Sequence, residues 1–413
     1  MIREIFLTYY MKLLLSRYMQ LDKTTLDALP EPEPDTDLLL YIHIPFCEEL
    51  CPYCSFIREE FDSRLAEEYM RCLRQEIAGY KERGYSFSAV YVGGGTPTIV
   101  IDELVSLFQW VRTLWPIKEI SVETNPNHLN ERVLTSLQAA GVNRLSVGVQ
   151  TFDDELLKRL GRYHKYGSGE EVRMRLENIR NRFETLNVDM IFNLPGQSRK
   201  SLERDIEVLL EIEAAQVTYY PLMTGNKVKN RLFRQYGHSS YRKERDFYRI
   251  IETALGEHYQ KATAWCFSRK KGMIDEYIIG HPEYAGTGAG AFGYHHGTLY
   301  ANSCRVSDYI ERIREGELPI IGTKRFSLGE KMRYTLLMRL FGGAAKQAME
   351  RESNFPGRLF HLTDTVMLIL SGTVERRSDG FNVSKRGYYF LVIMMREFFN
   401  SVNNFRDFCT KQR

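Results

Sequence analysis

The sequence predicts an α/β protein built on a partial (β/α)6 TIM-like barrel, followed by an irregular α+β region and a small winged-helix-like cap. Three observations carry this. Six apolar, β-branched or aromatic runs alternate with stretches of helical spacing over residues 38–225, the pattern of a parallel sheet with right-handed crossovers. The runs are apolar almost throughout, as strands covered on both faces are. Six units are also fewer than the eight that close a full barrel. An open doubly wound sheet fits the periodicity equally well, and the partial barrel is preferred to it.

The elements follow in order. "MIREIFLTYYMKLLLSRYMQ" (1–20) has its apolar run broken by Lys12 and is followed by no small-residue cleavage site, so an amphipathic helix is expected rather than a signal peptide. "LPEPEPDTD" (29–37) reads as a proline-punctuated linker, which closes an N-terminal segment over 1–37. The barrel strands are expected at "LLLYIHI" (38–44), "AVYVGG" (89–94), "EISVET" (119–124), "RLSVGVQ" (144–150), "NVDMIFNL" (187–194) and "AQVTYYPL" (215–222). Helical spacing marks 62–84, 102–114 and 201–215 between them. Residues 226–327 form a less regular extension carrying the glycine-rich "GTGAGAFGYHHG" (286–297). Residues 328–413 combine helical periodicity with a hairpin at "GTVERRSDGFNVSKRG" (372–387), turning at "SDG".

Composition bounds the function. The chain has 413 residues, 43% of them hydrophobic and 26% charged, as ordinary globular proteins have. A net charge of +3 is too small to argue for a nucleic-acid partner. No segment offers about 18 uninterrupted apolar residues, so none is expected to span a membrane. Seven cysteines, an odd number in a long chain, do not read as a disulfide framework, which points to the cytoplasm.

Three of those cysteines are crowded together. Cys47, Cys51 and Cys54 lie in "YIHIPFCEELCPYCSF" (41–56), directly after the first strand. Iron–sulfur clusters are held by thiolates, and three ligands on one loop hold three irons of a 4Fe–4S cube. The fourth iron then keeps an open position for a chelating small molecule. A structural zinc site would want four ligands, and neither Cys72 nor His43 has a fitting offset. Cys72 is expected to be a core residue, and Cys266, Cys304 and Cys409 have no partner spacing either.

CxxxCxxC after a first strand resembles the motif of the radical S-adenosylmethionine (SAM) superfamily. With "GGGTPT" (93–98), "SVETNP" (121–126), "LSVGVQTF" (145–152), "LGRYH" (160–164) and "DMIFNLPGQ" (189–197) in order, the sequence is similar to the oxygen-independent coproporphyrinogen III oxidase group. That group also includes heme chaperones, anaerobic heme-opening enzymes and radical methyltransferases. The resemblance implies a 4Fe–4S cluster on Cys47, Cys51 and Cys54, with one or two molecules of SAM. Chelated to the open iron and given one electron, SAM would break at a carbon–sulfur bond to yield a deoxyadenosyl radical. The implied cofactor residues are Tyr41, Tyr53, Gly93, Gly94, Gly95, Thr96, Glu123, Gln150, Arg162 and Asp189. Among these, Tyr53 would stack on adenine and Arg162 would grip the methionine carboxylate bidentately. A structural ion network of Glu123, Arg162 and Asp189 is the alternative. His43 reads equally as a neighbour of the cofactor or a satisfied core histidine, the glycine-rich stretch as active-site wall or tight loop, and His295 and His296 as heme ligands or exposed loop residues.

The resemblance further implies a monomeric oxidoreductase acting on a tetrapyrrole or heme, fed by an electron donor such as flavodoxin or ferredoxin. Two departures qualify the substrate. The oxidase carries another cysteine two residues after the third, where this chain has Phe56. Heme chaperones carry an HNxxYW motif before the glycine-rich segment, and residues 262–290 contain none. Oxidative decarboxylation and heme trafficking are both weakened, which leaves radical chemistry on a porphyrin-like substrate, methyl transfer and heme opening included.

Overall fold

The computed structural model describes residues 2–18, 20–22, 29–32, 38–237, 240–269, 277–281, 283–343, 366–377 and 380–409. Six strands lie side by side in chain order, all parallel: β1 (Leu38–Ile44), β2 (Phe87–Gly94), β3 (Glu119–Thr124), β4 (Arg144–Gln150), β5 (Thr185–Phe192) and β6 (Gln216–Pro221). Each of the six lies where the apolar runs place it, to within two residues. All seven residues of β1 are buried, as a strand covered on both faces requires. The sheet curls as a partial barrel rather than lying open.

The crossover helices show why these segments fold as they do. Helix α2 (Ser63–Glu82) starts at Asp62, whose carboxylate accepts the Leu65 amide and so satisfies one of the helix's orphan donors. It buries Ala66, Tyr69, Met70, Leu73, Ile77 and Tyr80, the three-and-four spacing of one helical face. Helices α3 (Ile101–Leu114), α4 (Glu131–Ala139), α5 (Gly169–Ile179) and α6 (Arg199–Ile212) cover the later strands. Ser168 and Glu171 form a reciprocal capping box at the start of α5. The N-terminal helix α1 (Ile2–Tyr18) packs along the last helix of the chain.

The extension differs from the irregular region expected. After α7 (Asn226–Tyr236) and α8 (Tyr241–Gly256), the short strands β7 (Gln260–Lys261) and β8 (Cys266–Ser268) extend the sheet antiparallel beyond β6. On the other edge β9 (Tyr284–Thr287) pairs parallel with β1, and β10 (Phe292–His295), β11 (Thr298–Asn302) and β12 (Ile320–Arg325) continue antiparallel. One sheet of twelve strands results among the described residues. These strands were hidden because they are short and rich in glycine, and the glycines are there for close approach. A Cβ on Gly286 would stand 1.9 Å from the Phe292 carbonyl oxygen. Helices α9 (Val306–Arg314) and α10 (Leu328–Phe341) follow.

The C-terminal hairpin pairs β13 (Val374–Arg377) with β14 (Gly380–Val383) and leads into α11 (Lys385–Cys409). Ser378 and Asp379 of its turn lie outside the described residues. So do residues 344–365, on which a winged-helix arrangement would also rest.

Candidate active site

Because β1 to β6 are parallel, their carboxyl ends open onto the same side of the sheet, and each supplies side chains or backbone to one cavity. Tyr41 comes from β1, Tyr91 and Gly94 from β2, Glu123 and Thr124 from β3, Gly148 and Gln150 from β4, Asp189 and Ile191 from β5, and Tyr220 and Pro221 from β6. The cysteine loop after β1 adds Cys47, Cys51 and Cys54. The volume is about 250 Å³. A cavity of about 390 Å³ lies between α1 and the C-terminal helices, lined by Phe6, Met11, Leu336, Leu340 and Met394. It is larger but almost wholly apolar and holds none of the chemistry-bearing residues, so chemistry rather than size locates the site.

Of the thirteen residues expected at the site, Tyr41, Cys47, Cys51, Tyr53, Cys54, Gly94, Gly95, Glu123, Gln150, Arg162 and Asp189 line the cavity. Gly93 and Thr96 stand behind its wall. A Cβ on Gly93 would come within 2.8 Å of the Glu123 carboxylate. Thr96 is buried, takes a hydrogen bond from Asn125 Nδ2 (2.7 Å) and directs its hydroxyl at Cys47 Sγ (3.7 Å). At Gly95 a Cβ would lie 2.4 Å from the Phe46 carbonyl oxygen and 3.0 Å from Cys47 Sγ. Gly95 is therefore required by the cysteine loop packed against it, and Gly93 by the Glu123 carboxylate.

The cysteine loop is held by cations. Arg58 Nη2 donates to the carbonyls of Cys51 and Cys54, both at 2.8 Å. Lys165 Nζ and Arg162 Nη1 approach Cys51 Sγ at 3.8 and 3.9 Å. Burial nevertheless pushes the Cys47 thiol up to about 11, against the Thr96 hydrogen bond, and raises Cys54. The free chain thus holds Cys47 and Cys54 protonated, and a bound metal would displace those protons. Cys72, Cys266 and Cys304 are buried away from this cavity. Among the described residues no three His, Cys, Asp or Glu side chains converge on a single ion. The three thiols share a cavity wall instead, which suits a multi-iron cluster.

Arg162 is more committed than the sequence suggests. It is 4% exposed, its Nη1 donates to the Tyr53 hydroxyl (3.2 Å), and its Nη2 donates to Asn125 Oδ1 (3.0 Å) and the Gly148 carbonyl. Its guanidinium lies 4.2 Å over the Tyr166 ring. Both hydrogens of Nη2 are committed to protein, so a carboxylate reaching that nitrogen would compete with Asn125 and Gly148. Arg162 ties the cysteine loop to the ends of β3 and β4 and presents its charge to the cavity. Glu123 accepts from the Tyr91 hydroxyl (2.9 Å) and the Gly94 amide (3.1 Å). Asp189 accepts from Ser146 Oγ (2.6 Å) and Asn187 Nδ2 (2.8 Å). Gln150 sits at a bulge between β4 and β5 with φ 78°, left-handed backbone that costs a non-glycine residue energy and gathers at functional sites.

His43 is a satisfied core histidine. Its Nδ1 pairs with the Tyr41 hydroxyl and its Nε2 with the Ile57 carbonyl, both at 2.9 Å. Burial, helped by the charge of Arg406, lowers its pKa to about 3 and keeps it neutral. Nε2 must then carry the hydrogen it gives Ile57, so Nδ1 accepts from Tyr41. The glycine-rich stretch packs behind β1 and contributes nothing to the cavity lining. Its Gly288 amide bonds to buried Glu76 (2.8 Å), and Thr287 Oγ1 bonds to the Tyr41 carbonyl (3.0 Å). His295 is buried against Glu283 (2.8 Å), His296 is exposed, and neither lines the cavity.

Sequence reasoning missed Tyr91, Asn125, Tyr166 and the α11 residues Phe399, Asn403 and Arg406, all of which line the cavity. Asn125 lay inside a quoted motif, and Tyr91 alternates with Gly93 on β2, so both carried a signal. The α11 residues carried none.

A family model of the radical SAM superfamily matches residues 41–209. The heme chaperone HemW of Bacillus subtilis (strain 168) is 34% identical over 314 residues, covering 73% of this chain and 82% of that protein. The chain belongs to the radical SAM superfamily, in its coproporphyrinogen III oxidase-like family. An oxygen-independent coproporphyrinogen III oxidase of Cereibacter sphaeroides (strain ATCC 17025 / ATH 2.4.3) is 33% identical to this radical SAM protein over 203 residues, 47% of the chain and 44% of the relative. The solved structure of coproporphyrinogen III oxidase (HemN) from Escherichia coli superposes with a TM-score of 0.75 at 21% identity, covering 93% of this chain and 98% of that one, which shows a common fold. Membership implies a 4Fe–4S cluster and SAM as cofactors. No helix among the described residues is long and apolar enough to cross a membrane.

Proposed function

We propose that this chain is a cytoplasmic radical SAM enzyme acting on a tetrapyrrole, with Cys47, Cys51 and Cys54 each holding one iron of the cluster and the fourth iron left for SAM. One observation carries the reading: three thiols share a cavity with an acid–base set on the strand ends, and no fourth cysteine lines it among the described residues. When bound, the cluster and SAM together supply one-electron cleavage of a carbon–sulfur bond.

The chain's own residues do the rest. Arg58 and Thr96 hold the loop so that the thiols face inward. The backbone at Gly94 and Gly95 lets the methionine end approach closely. Arg162 offers positive charge to the methionine carboxylate, and Glu123 and Asp189 offer acceptors to the ammonium and the ribose hydroxyls. Tyr53 supplies a flat apolar wall for the base. Burial on the barrel side keeps water from the reacting atoms.

A second reading, heme carriage, is favoured by the name of the Bacillus relative that matches most of this chain. One anaerobic experiment separates them. Reconstituted protein receives SAM and a flavodoxin or chemical reductant, with coproporphyrinogen, heme or neither, and products are analysed by mass. Deoxyadenosine together with a changed tetrapyrrole supports the enzyme, and the mass change tells decarboxylation from methylation or ring opening. Stoichiometric heme uptake without deoxyadenosine would replace it with carriage.

A further inference from the structure

The cavity has two unlike halves. The barrel side carries Glu123, Asp189 and Arg162, and these match the ammonium, hydroxyl and carboxylate groups of one SAM molecule. The opposite side is built by α11, by the loop just past the cysteines and by the end of β6, and no acidic residue lines it among the described residues. Phe56, Leu222, Met223 and Phe399 make it apolar, and two guanidinium groups are set into it, Arg58 and Arg406.

Arg406 is 6% exposed. It lies 5.2 Å over the Phe56 ring and 5.7 Å over Phe292, and Nη1 donates to Asn403 Oδ1 at 3.4 Å. Two aromatic faces hold its plane, so the fork is oriented before any ligand arrives, which lowers the entropy lost on binding. Arg58 gives Nη2 to the cysteine carbonyls, but its Nε and Nη1 are buried and have no hydrogen-bond partner among the described residues. Buried N–H groups left unmade are costly, and a guanidinium keeps its charge at any physiological pH. An anion in this half would use both groups.

Resting on the radical SAM reading above, we propose that Arg406 and Arg58 form the carboxylate-binding end of the substrate subsite, selecting a flat apolar molecule that carries at least two carboxylates. Phe56 lies beneath the Arg406 guanidinium. A cysteine at position 56 would lack the aromatic face that supports Arg406 here. Helix α11, more than 330 residues along the chain from the cysteines, is then the element that sets substrate choice, and Arg406 is its specificity-determining residue.

The test uses the anaerobically reconstituted full chain and two probes, coproporphyrin III and its tetramethyl ester, each titrated by fluorescence. The wild type is expected to prefer the acid. Arg406→Gln should lower affinity for the acid about tenfold to hundredfold, the scale of losing a charged hydrogen bond, while affinity for the ester moves less than about twofold. Unaltered preference in Arg406→Gln would overturn the assignment. If that variant loses the ester as well, Arg406→Lys decides. Ester binding retained with a several-fold weaker preference for the acid supports the subsite, and wild-type preference overturns it. Failure of the parent reading shows separately: a wild type that makes no deoxyadenosine yet prefers the acid through Arg406 keeps the subsite and loses the radical chemistry.

Discussion

Replacing Arg162 with alanine tests the centre of the site. The side chain serves Tyr53 on the cysteine loop, Asn125 after β3 and Gly148 on β4. Truncation leaves the Asn125 and Gly148 oxygens without their charged donor, at about 1–3 kcal/mol for each buried group left unmade. Water entering from the cavity replaces part of this, so a stability loss of about 2–4 kcal/mol is expected. Affinity for SAM should fall separately, by the 1–3 kcal/mol of a lost charged interaction, about 5- to 150-fold. Arg162→Lys keeps the charge but cannot span Tyr53 and Asn125 together, so it should recover more of the SAM affinity than of the stability. Calorimetric titration of SAM into reconstituted protein, alongside thermal melts, gives both numbers. Unchanged SAM affinity in Arg162→Ala with the cluster still loaded would refute a cofactor role and leave Arg162 as a purely structural tie.

Changing Cys47, Cys51 or Cys54 to serine should each leave less than about a tenth of wild-type iron and sulfide after reconstitution, since a hard alkoxide poorly replaces a soft thiolate; iron assay and visible absorption check it. Gly95→Ala should disturb the same loop without removing a ligand, because the new methyl group meets the Phe46 carbonyl, and reduced cluster content in a folded protein is the expected readout. Burial raises the carboxyls of Glu76 and Asp205 to about 7 each. Both folded values lie above the unfolded ones, so the folded chain keeps protons that the unfolded chain releases. Their contribution is full below pH of about 4 and declines as pH rises towards 7. The stability of wild type relative to Glu76→Gln should therefore drop by about 2–3 kcal/mol between pH 5 and 8, read from urea unfolding, and a rise over that range would contradict it.

Much of the site was written in local sequence. Cys47, Cys51 and Cys54 announce themselves by spacing. The resemblance named Glu123, Gln150 and Asp189, and strand order explains why they meet, because successive parallel strands must deliver their carboxyl ends to one side. The six barrel strands were legible because each is long and apolar enough to state its own period. Strands β9 to β12 were not, since glycines placed for backbone contact remove the side chains that would show alternation. His43 could not be read either way: a strand histidine looks the same whether it faces a cofactor or, as here, closes a hydrogen-bond pair with Tyr41 and Ile57.

The sequence alone therefore determined the six strands with their crossover helices and the crowding of the cysteine triad, all of which depend on neighbours within a few residues. Only the tertiary structure decided how the polar groups of the site are spent. It engaged both terminal nitrogens of Arg162 with protein, placed Thr96 behind Cys47, and brought Asn403 and Arg406 of α11 to the open half of the cavity. Contacts between residues hundreds of positions apart leave no period and no spacing to read, because packing, not chain order, brings them together.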